Sequence, residues 1–502
     1  MHNLSYGRIL FWVTLSLFFL FIGYEVLHAD YLFTDEAFML WHQPDQHTIA
    51  TVFHSIGRAL TGWLLQHLFG IFNTVAAVKY IRLLSLALCM IAVLVFYLVL
   101  KRLQRRDFPM SDLLIYAATA FMAASLSSMI CIGWAVCPEV FISTILSLIG
   151  GTILFESIQK EGYRYKVSGS AVLAVILLGV GALFFYQSTY TFLLLPFYLQ
   201  FLLKKDGKAD RTVFIGLAIF LFTILVYYLL FKYSLRASGI GASNRTSLAF
   251  DPLERLSFFF SYPLNQAFNL NAFFDVRSIV SQAVFPVLFT AWVIGVFYSR
   301  RGQTVVNLRF ICGIFGWLML AYLPALMARE SFGPYRTMSV LSMMVFLLLA
   351  DWWPAWVKPG GMRTGLYIAA ILVLLARGGY VYKYYLADPL HGEYKVIRKA
   401  VSDQYTDRVR EVVFVLPKEN GFNHTPGIRN YKDEFGVPSS SKDWTPEPLT
   451  KQIVYELTGN RQLAEALKVT LMNGPQEIRD TTMMHNKNIL FINAPSLLES
   501  IR

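Results

Sequence analysis

The chain has 502 residues, of which 56% are hydrophobic and only 15% charged, and its mean hydropathy is +0.49. These values exclude an ordinary soluble domain and a disordered chain, and apolar stretches of about 20 residues recur, the length a helix needs to cross a bilayer core. The formal net charge of +12 would suit nucleic acid, but its distribution excludes that partner. From residue 387 onward there are 15 Lys and Arg and 15 Asp and Glu, so the excess lies in short connections of the apolar part, as it does in cytoplasmic loops.

In chain order, about eleven spans are expected, near 8–27, 78–100, 112–132, 139–157, 169–186, 191–203, 212–234, 279–298, 309–327, 337–356 and 364–385. The run from Ile9 to Leu27 is too long for the apolar core of a signal peptide and reads as an uncleaved first span. "DYLFTDEAFML", residues 30–40, follows it and sets Asp30, Asp35 and Glu36 beside the membrane, where ionisable groups are costly and tend to be functional or paired. The amphipathic stretch Val52–Thr74, with His54, Arg58 and His67, suits an interfacial or re-entrant helix better than a span. Cys131 and Cys137 flank a tight connection; a disulfide there would need an oxidising compartment, and the usual burial of free cysteine favours small apolar residues in helices.

"WAVCPEVF" puts Glu139 after Pro138 at a helix start, where the helix dipole favours an acid. "FFYQSTY" places Gln187 and Tyr190 at a turn, able to bind a sugar hydroxyl or to close a hairpin. Arg245 in "GASNRTS" lies in a Gly/Ser-rich loop that is either mobile or ordered over a substrate. The ring-rich "RLSFFFSYPLNQAFNLNAFF" suits interfacial packing or an aromatic groove for sugar or lipid. In "ARESFGPYRTM", Arg329, Tyr335 and Arg336 precede the tenth span, as an interfacial anchor or as phosphate contacts.

From about residue 387 the pattern changes. "EVVFVLP" and "NILFINAP" read as buried strands, and "PEPLTKQIVYELTG" as a helix with Pro near its start and Gly at its end. "HTPGIRNYKDEFGVPSSSKDWTP" is rich in loop formers. The fold expected is therefore an all-α polytopic membrane protein, residues 1–386, with a small C-terminal α/β domain, residues 387–502.

Orientation follows from charge. The loops KRLQRRDFPMS, SIQKEGYRYKVS, KKDGKADR, SRRGQTVVNLR and VKPGGMR carry 16 Lys and Arg and mark the cytoplasmic side. The N-terminus is then cytoplasmic and the tail extracytoplasmic. The opposite loops, chiefly 28–77 and 235–278, with the shorter 133–138, 187–190 and 328–336, hold seven Arg and no Lys, together with eight acids.

That inventory has a chemistry. Transfer of a sugar from a lipid phosphate needs no general acid, because phosphate is already a good leaving group. It needs one carboxylate to take the acceptor's proton and cations to hold the departing phosphate, for which the planar fork of arginine is suited. Asp35 and Glu36 are adjacent, about 100° apart on a helix, so they do not form a dyad; Asp35 is favoured as base, with Glu36 second. Arg58, Glu139, Gln187, Arg245, Arg329, Tyr335 and Arg336 are the candidate substrate-binding residues.

The "TDEAF" of the first outer loop resembles the polytopic GT-C glycosyltransferases. Within that superfamily, "GRALTGWLLQHL" and "YQSTY" resemble the O-antigen glucosyltransferase family of the GtrII type; the "PE" of the second outer loop and the "YR" before a late span are also similar to membrane glycosyltransferases. The resemblance covers about residues 1–385. It implies a polyprenyl-phosphate sugar as donor, inversion at the anomeric carbon, an envelope glycan or glycolipid as acceptor, and a site at the outer face of a bacterial inner membrane. The family's acid falls on Asp35 or Glu36; its usual pair is two aspartates and the second here is Glu, so both stay open. No cofactor or metal is expected, although some relatives use a divalent metal.

Two other classes compete. A flippase of lipid-linked intermediates usually has charges within its spans and paired repeats, whereas the charges here gather at the ends. A glycan polymerase or ligase also uses outer-face arginines, with an arginine as base. A scaffold displaying the tail would not need eleven spans.

Overall fold

The computed structural model describes residues 2–45, 47–106, 108–161, 164–205, 210–247, 251–270, 278–331, 333–352, 361–419, 422, 434–473 and 488–501. Residues 423–433 of the loop-rich tail segment, residues 271–274 of the ring-rich stretch, and Asp275 and Arg277 lie outside the described residues. Eight described helices are long and apolar enough to cross a membrane: Gly7–His28, Val75–Gln104, Asp112–Gly133, Pro138–Ser157, Arg211–Ser238, Ile279–Ser299, Thr304–Ala321 and Gly361–Gln404. The chain is a polytopic helical membrane protein by length and composition of these elements.

The described residues of all eleven expected spans fall largely on helix, but four of the spans are not single long helices. Gly169–Phe185 and Ser339–Trp352 are shorter apolar helices. The sixth starts as a 3-10 turn, Gln187–Leu194, and becomes α-helical only over Leu195–Lys204. The ninth breaks at Tyr322, ahead of Pro324, into Thr304–Ala321 and Leu323–Met327. Asp112–Gly133 also has a step at Ser125, whose hydroxyl caps the next turn by accepting from the Ser128 amide at 3.1 Å.

Burial ranks the helices. The apolar window of Asp112–Gly133 is 94% buried, against 28% for Arg211–Ser238 and 22% for Ile279–Ser299. The first is therefore the centre of the bundle, and the other two present most of their surface outward, where a bilayer would cover their exposed Leu, Ile and Val side chains. Pro138–Ser157 packs on Val75–Gln104, Gly169–Phe185 and the 3-10 turn. Gly151 permits that last contact, since a Cβ there would lie 2.3 Å from the Leu193 carbonyl.

The two ends differ in charge. At one end Lys101 pairs with Asp112 (2.8 Å), Lys204 with Asp210 (3.1 Å) and Lys205 with Asp351 (2.7 Å), and Arg102 with Glu156. An antiparallel hairpin, Ile158–Glu161 with Arg164–Val167, lies at the same end. The other end gathers the loops that hold Asp35, Arg58, Glu139, Gln187, Arg245 and Arg336, and the tail docks there.

The eleventh expected span does not end at 385. Helix runs from Gly361 to Gln404 through a π turn at Lys383–Ala387. Pro389 has no N–H to give to the carbonyl four residues back, and that carbonyl, on Tyr385, instead accepts the Gly436 amide at 3.0 Å. The helix thus ties the bundle to a three-stranded parallel sheet in the order Lys468–Met472, Glu411–Val415, Ile489–Asn493. The helix Pro446–Thr458 closes at Gly459 in the left-handed region and packs on Asp35–His42.

Candidate functional site

The first loop sets the geometry. Thr34 has φ 38 and ψ −102, a conformation that a β-branched residue adopts only when its surroundings impose it. The tail imposes it: the Thr34 amide donates to Ser439 Oγ (3.1 Å) and its carbonyl accepts from Thr445 Oγ1 (3.4 Å). The turn starts the helix Asp35–His42 and separates its two acids sharply.

Glu36 points into the protein and is fully buried. Its carboxylate accepts the Phe33 amide at 2.8 Å, the Ala135 amide, and the guanidinium of the equally buried Arg82. Burial raises the Glu36 carboxyl above the ordinary carboxylate value, against the pull of Arg82 and the two amides. Arg82 also donates to the carbonyls of Tyr31 (2.8 Å) and Gly133 (3.1 Å) and lies over the Tyr31 ring at 3.6 Å. The pair therefore pins the first loop, the second span and the turn at 133–135 together.

Asp35 is half-buried and faces the other way. Trp444 of the tail donates its indole N–H to Asp35 Oδ1 at 3.0 Å, and Asp35 also acts electrostatically on Arg336. Arg336 lies over the Trp134 ring at 4.4 Å and pairs with Glu434 at 3.1 Å. Glu434 is fully buried and also accepts the Tyr335 amide. Burial opposes the charge on Arg336, and Glu434, with lesser help from Tyr186, Cys137 and Asp35, outweighs it, so its pKa is raised.

Arg58 sits at the turn between the helices Thr48–Ser55 and Ala59–Ile71, which replace the one amphipathic segment expected. Its guanidinium lies over the Tyr186 ring at 4.3 Å and donates through Nε to Gln187 Oε1 at 3.0 Å. Gln187 Nε2 in turn donates to Tyr227 Oη at 2.9 Å, and Tyr227 Oη to the Gly57 carbonyl at 2.8 Å. Gly57 has φ +80, and a Cβ on it would meet Tyr227 Oη at 2.3 Å. Gly57→Ala is expected to cost about 1–3 kcal/mol and to displace Arg58; a thermal melt in nanodiscs unchanged from wild type would show that this turn is not so constrained.

A cavity of about 470 Å³ opens beside this turn. Arg58, Gln187, Arg245 and Arg336 line it, and Leu221, Ile224, Leu225 and Phe231 of the outward-facing helix Arg211–Ser238 form an apolar wall. Arg245, exposed on its loop, pairs with Glu330 at 3.5 Å. Glu139 is buried within electrostatic reach of Arg58 and Arg336, and its Oε2 has no hydrogen-bond partner among the described residues. Asp35, Glu36, Glu139, Arg329 and Tyr335 do not line the cavity. Arg329 is exposed and contributes its amide to Ser247 O, and Tyr335 is buried against Phe435. Cys131 and Cys137 are buried free thiols. Among the described residues no group of three or more His, Cys, Asp or Glu could hold a metal ion.

Four contributors were not singled out in the sequence: Arg82, Tyr227, Glu434 and Trp444. Arg82 had a signal, a lone arginine within the apolar "KYIRLLSL", which calls for a buried partner. Glu434 and Trp444 come from a loop whose nearest site partners are 98 and 409 residues away, and no local pattern marks them. The chain matches no family model, no curated protein and no solved structure.

Proposed function

We propose that this chain is an inverting membrane glycosyltransferase of the GT-C type, moving a sugar, a hexose such as glucose, from a polyprenyl-phosphate donor to a glycan or lipid of the cell envelope. The observation that carries this reading is the cavity. One apolar wall faces the bilayer side and would take the first isoprene units of a lipid. Arg58 and Arg336 project where that lipid's phosphate would lie; beside the cavity, Asp35 lies within electrostatic reach of Arg336 and Glu139 within reach of both arginines.

In the reaction proposed, the Asp35 carboxylate takes the proton of an acceptor hydroxyl. The acceptor oxygen forms a bond to the anomeric carbon, and the bond from that carbon to the phosphate oxygen breaks. The electron pair leaves with the polyprenyl phosphate, whose new charge Arg58 and Arg336 stabilise. Gln187 keeps Arg58 aimed, and Glu434 does the same for Arg336. The unpartnered Oε2 of Glu139 is an acceptor for a hydroxyl of the transferred sugar. The site end is assigned to the outer face of a bacterial inner membrane, with a cytoplasmic N-terminus and the α/β tail as a small periplasmic domain, because the Lys-rich loops lie at the opposite end.

The test uses purified protein in nanodiscs, a panel of polyprenyl-phosphate sugars and an envelope extract as acceptor. Release of free polyprenyl phosphate is expected with one of the donors. Arg336→Lys keeps the charge but loses the bidentate fork and is expected to slow release by about tenfold. No release with any donor of the panel would overturn the reading in favour of a polymerase, ligase or flippase.

A further inference from the structure

The proposed reaction says where the donor lies but not what receives the sugar. We propose that Trp444 is the acceptor platform: a neutral sugar ring stacks on its exposed indole and presents a hydroxyl to Asp35. This deepens the reading above and rests on Asp35 as its base.

Three observations support it. Trp444 is 46% exposed although it is a large aromatic residue, and its N–H is already engaged by Asp35. The edge of the ring is therefore fixed against the carboxylate while much of the ring remains open to solvent. An indole offers an apolar face beside a polar edge, and a pyranose has the matching pattern, with C–H groups on its face and hydroxyls at its rim.

The platform is also rigid. The Thr445 amide donates to the Lys442 carbonyl at 3.0 Å and Thr445 Oγ1 to Thr34 O. Upstream, the amides of Ser439 and Ser440 both donate to the buried carboxylate of Glu393 at 2.9 Å. A surface ordered in advance binds without a further ordering cost.

Charge points to a neutral ligand. Lys442, the nearby cation of this segment, is buried and paired with Glu419 at 2.7 Å, and Asp35 would repel an anion. The lipid phosphate belongs with Arg58 and Arg336, which line the cavity, whereas Trp444 does not line it. Donor and acceptor would thus approach Asp35 from different sides, the donor past the apolar wall and the acceptor across the tail.

The experiment measures binding of delipidated O-antigen polysaccharide to the full chain in nanodiscs by saturation-transfer NMR, without donor. Polyprenyl phosphate binding is measured separately, and thermal melts check folding. Wild type and Trp444→Phe, which keeps a ring, are expected to bind the glycan within about threefold of each other. Trp444→Ala is expected to weaken glycan binding by at least about tenfold with polyprenyl phosphate binding unchanged. Glycan binding by W444A equal to wild type, an equal loss in W444F, loss of polyprenyl phosphate binding alongside, or no glycan binding by wild type would each overturn the proposal. Trp444-dependent glycan binding without sugar transfer would leave the platform standing and reject the enzyme reading.

Discussion

Glu36→Gln is expected to destabilise the site end of the molecule by about 3–5 kcal/mol, the usual cost of removing one partner of a buried ion pair. The residue left behind is Arg82, which is wholly enclosed and whose Nη1 has no hydrogen-bond partner among the described residues even in the intact protein. Gln keeps one oxygen for an amide donor, but its NH2 must then face either the Ala135 N–H or the guanidinium, and both are donors. Because the pair joins three segments, the loss should spread beyond one loop: amides of residues 31–36 and 133–135 should exchange faster together. Thermal melts in nanodiscs supply the magnitude. Replacing both charges, Glu36→Gln with Arg82→Met, is expected to recover much of the loss, since no buried charge is then left alone. A melt of Glu36→Gln alone within a degree of wild type would mean that the pair is not what holds this end together.

The sequence made some of these relations legible and hid others, for physical reasons. Helix positions could be read because the bilayer demands long apolar runs, and the two strands of the tail and the helix Pro446–Thr458 could be read because their patterning and end signals are local. The helix breaks at Ser125 and Tyr322 were harder. Apolar patterning continues through both, and only the side-chain cap at Ser125 and Pro324 after Tyr322 mark the steps. The end expected at 385 misled in the opposite direction. The helix continues through Pro389 because a π turn and the Gly436 amide absorb the irregularity.

Within the site, Arg58, Gln187, Arg245 and Arg336 could be grouped in advance because charge and connectivity put their loops on one side, and the fold brings those four to one cavity. The same rule gathered Asp35, Glu36, Glu139, Arg329 and Tyr335, which do not line it. A loop's side of the membrane says nothing about the direction of its side chains. The difference between Asp35 and Glu36 was also hidden, because it depends on a strained Thr34 that tail residues about 400 positions away hold in place.

Asp35→Asn is expected to slow transfer by 10²–10⁴-fold, the range over which a positioned general base contributes. The substitution is close to isosteric, and its Oδ1 can still accept the Trp444 indole N–H, so the loop, the platform and the melt should stay as in wild type. What is lost is the capacity to take a proton. The donor's KM should barely change, because Arg58 and Arg336 hold the phosphate, and the fall should appear in kcat. That split separates the base from a residue that merely orders the loop, which would raise KM or lower the melt as well. Glu139→Gln is the decisive companion. Its carboxyl lies within reach of Arg58 and Arg336, and its buried Oε2 has no hydrogen-bond partner among the described residues. If it binds the transferred sugar, Glu139→Gln should raise the donor's KM with a smaller effect on kcat. If instead Glu139→Gln abolishes kcat while Asp35→Asn transfers normally, the proton goes to Glu139. Asp35 would then serve only to hold Trp444, and the acceptor would have to approach the anomeric carbon from the cavity side.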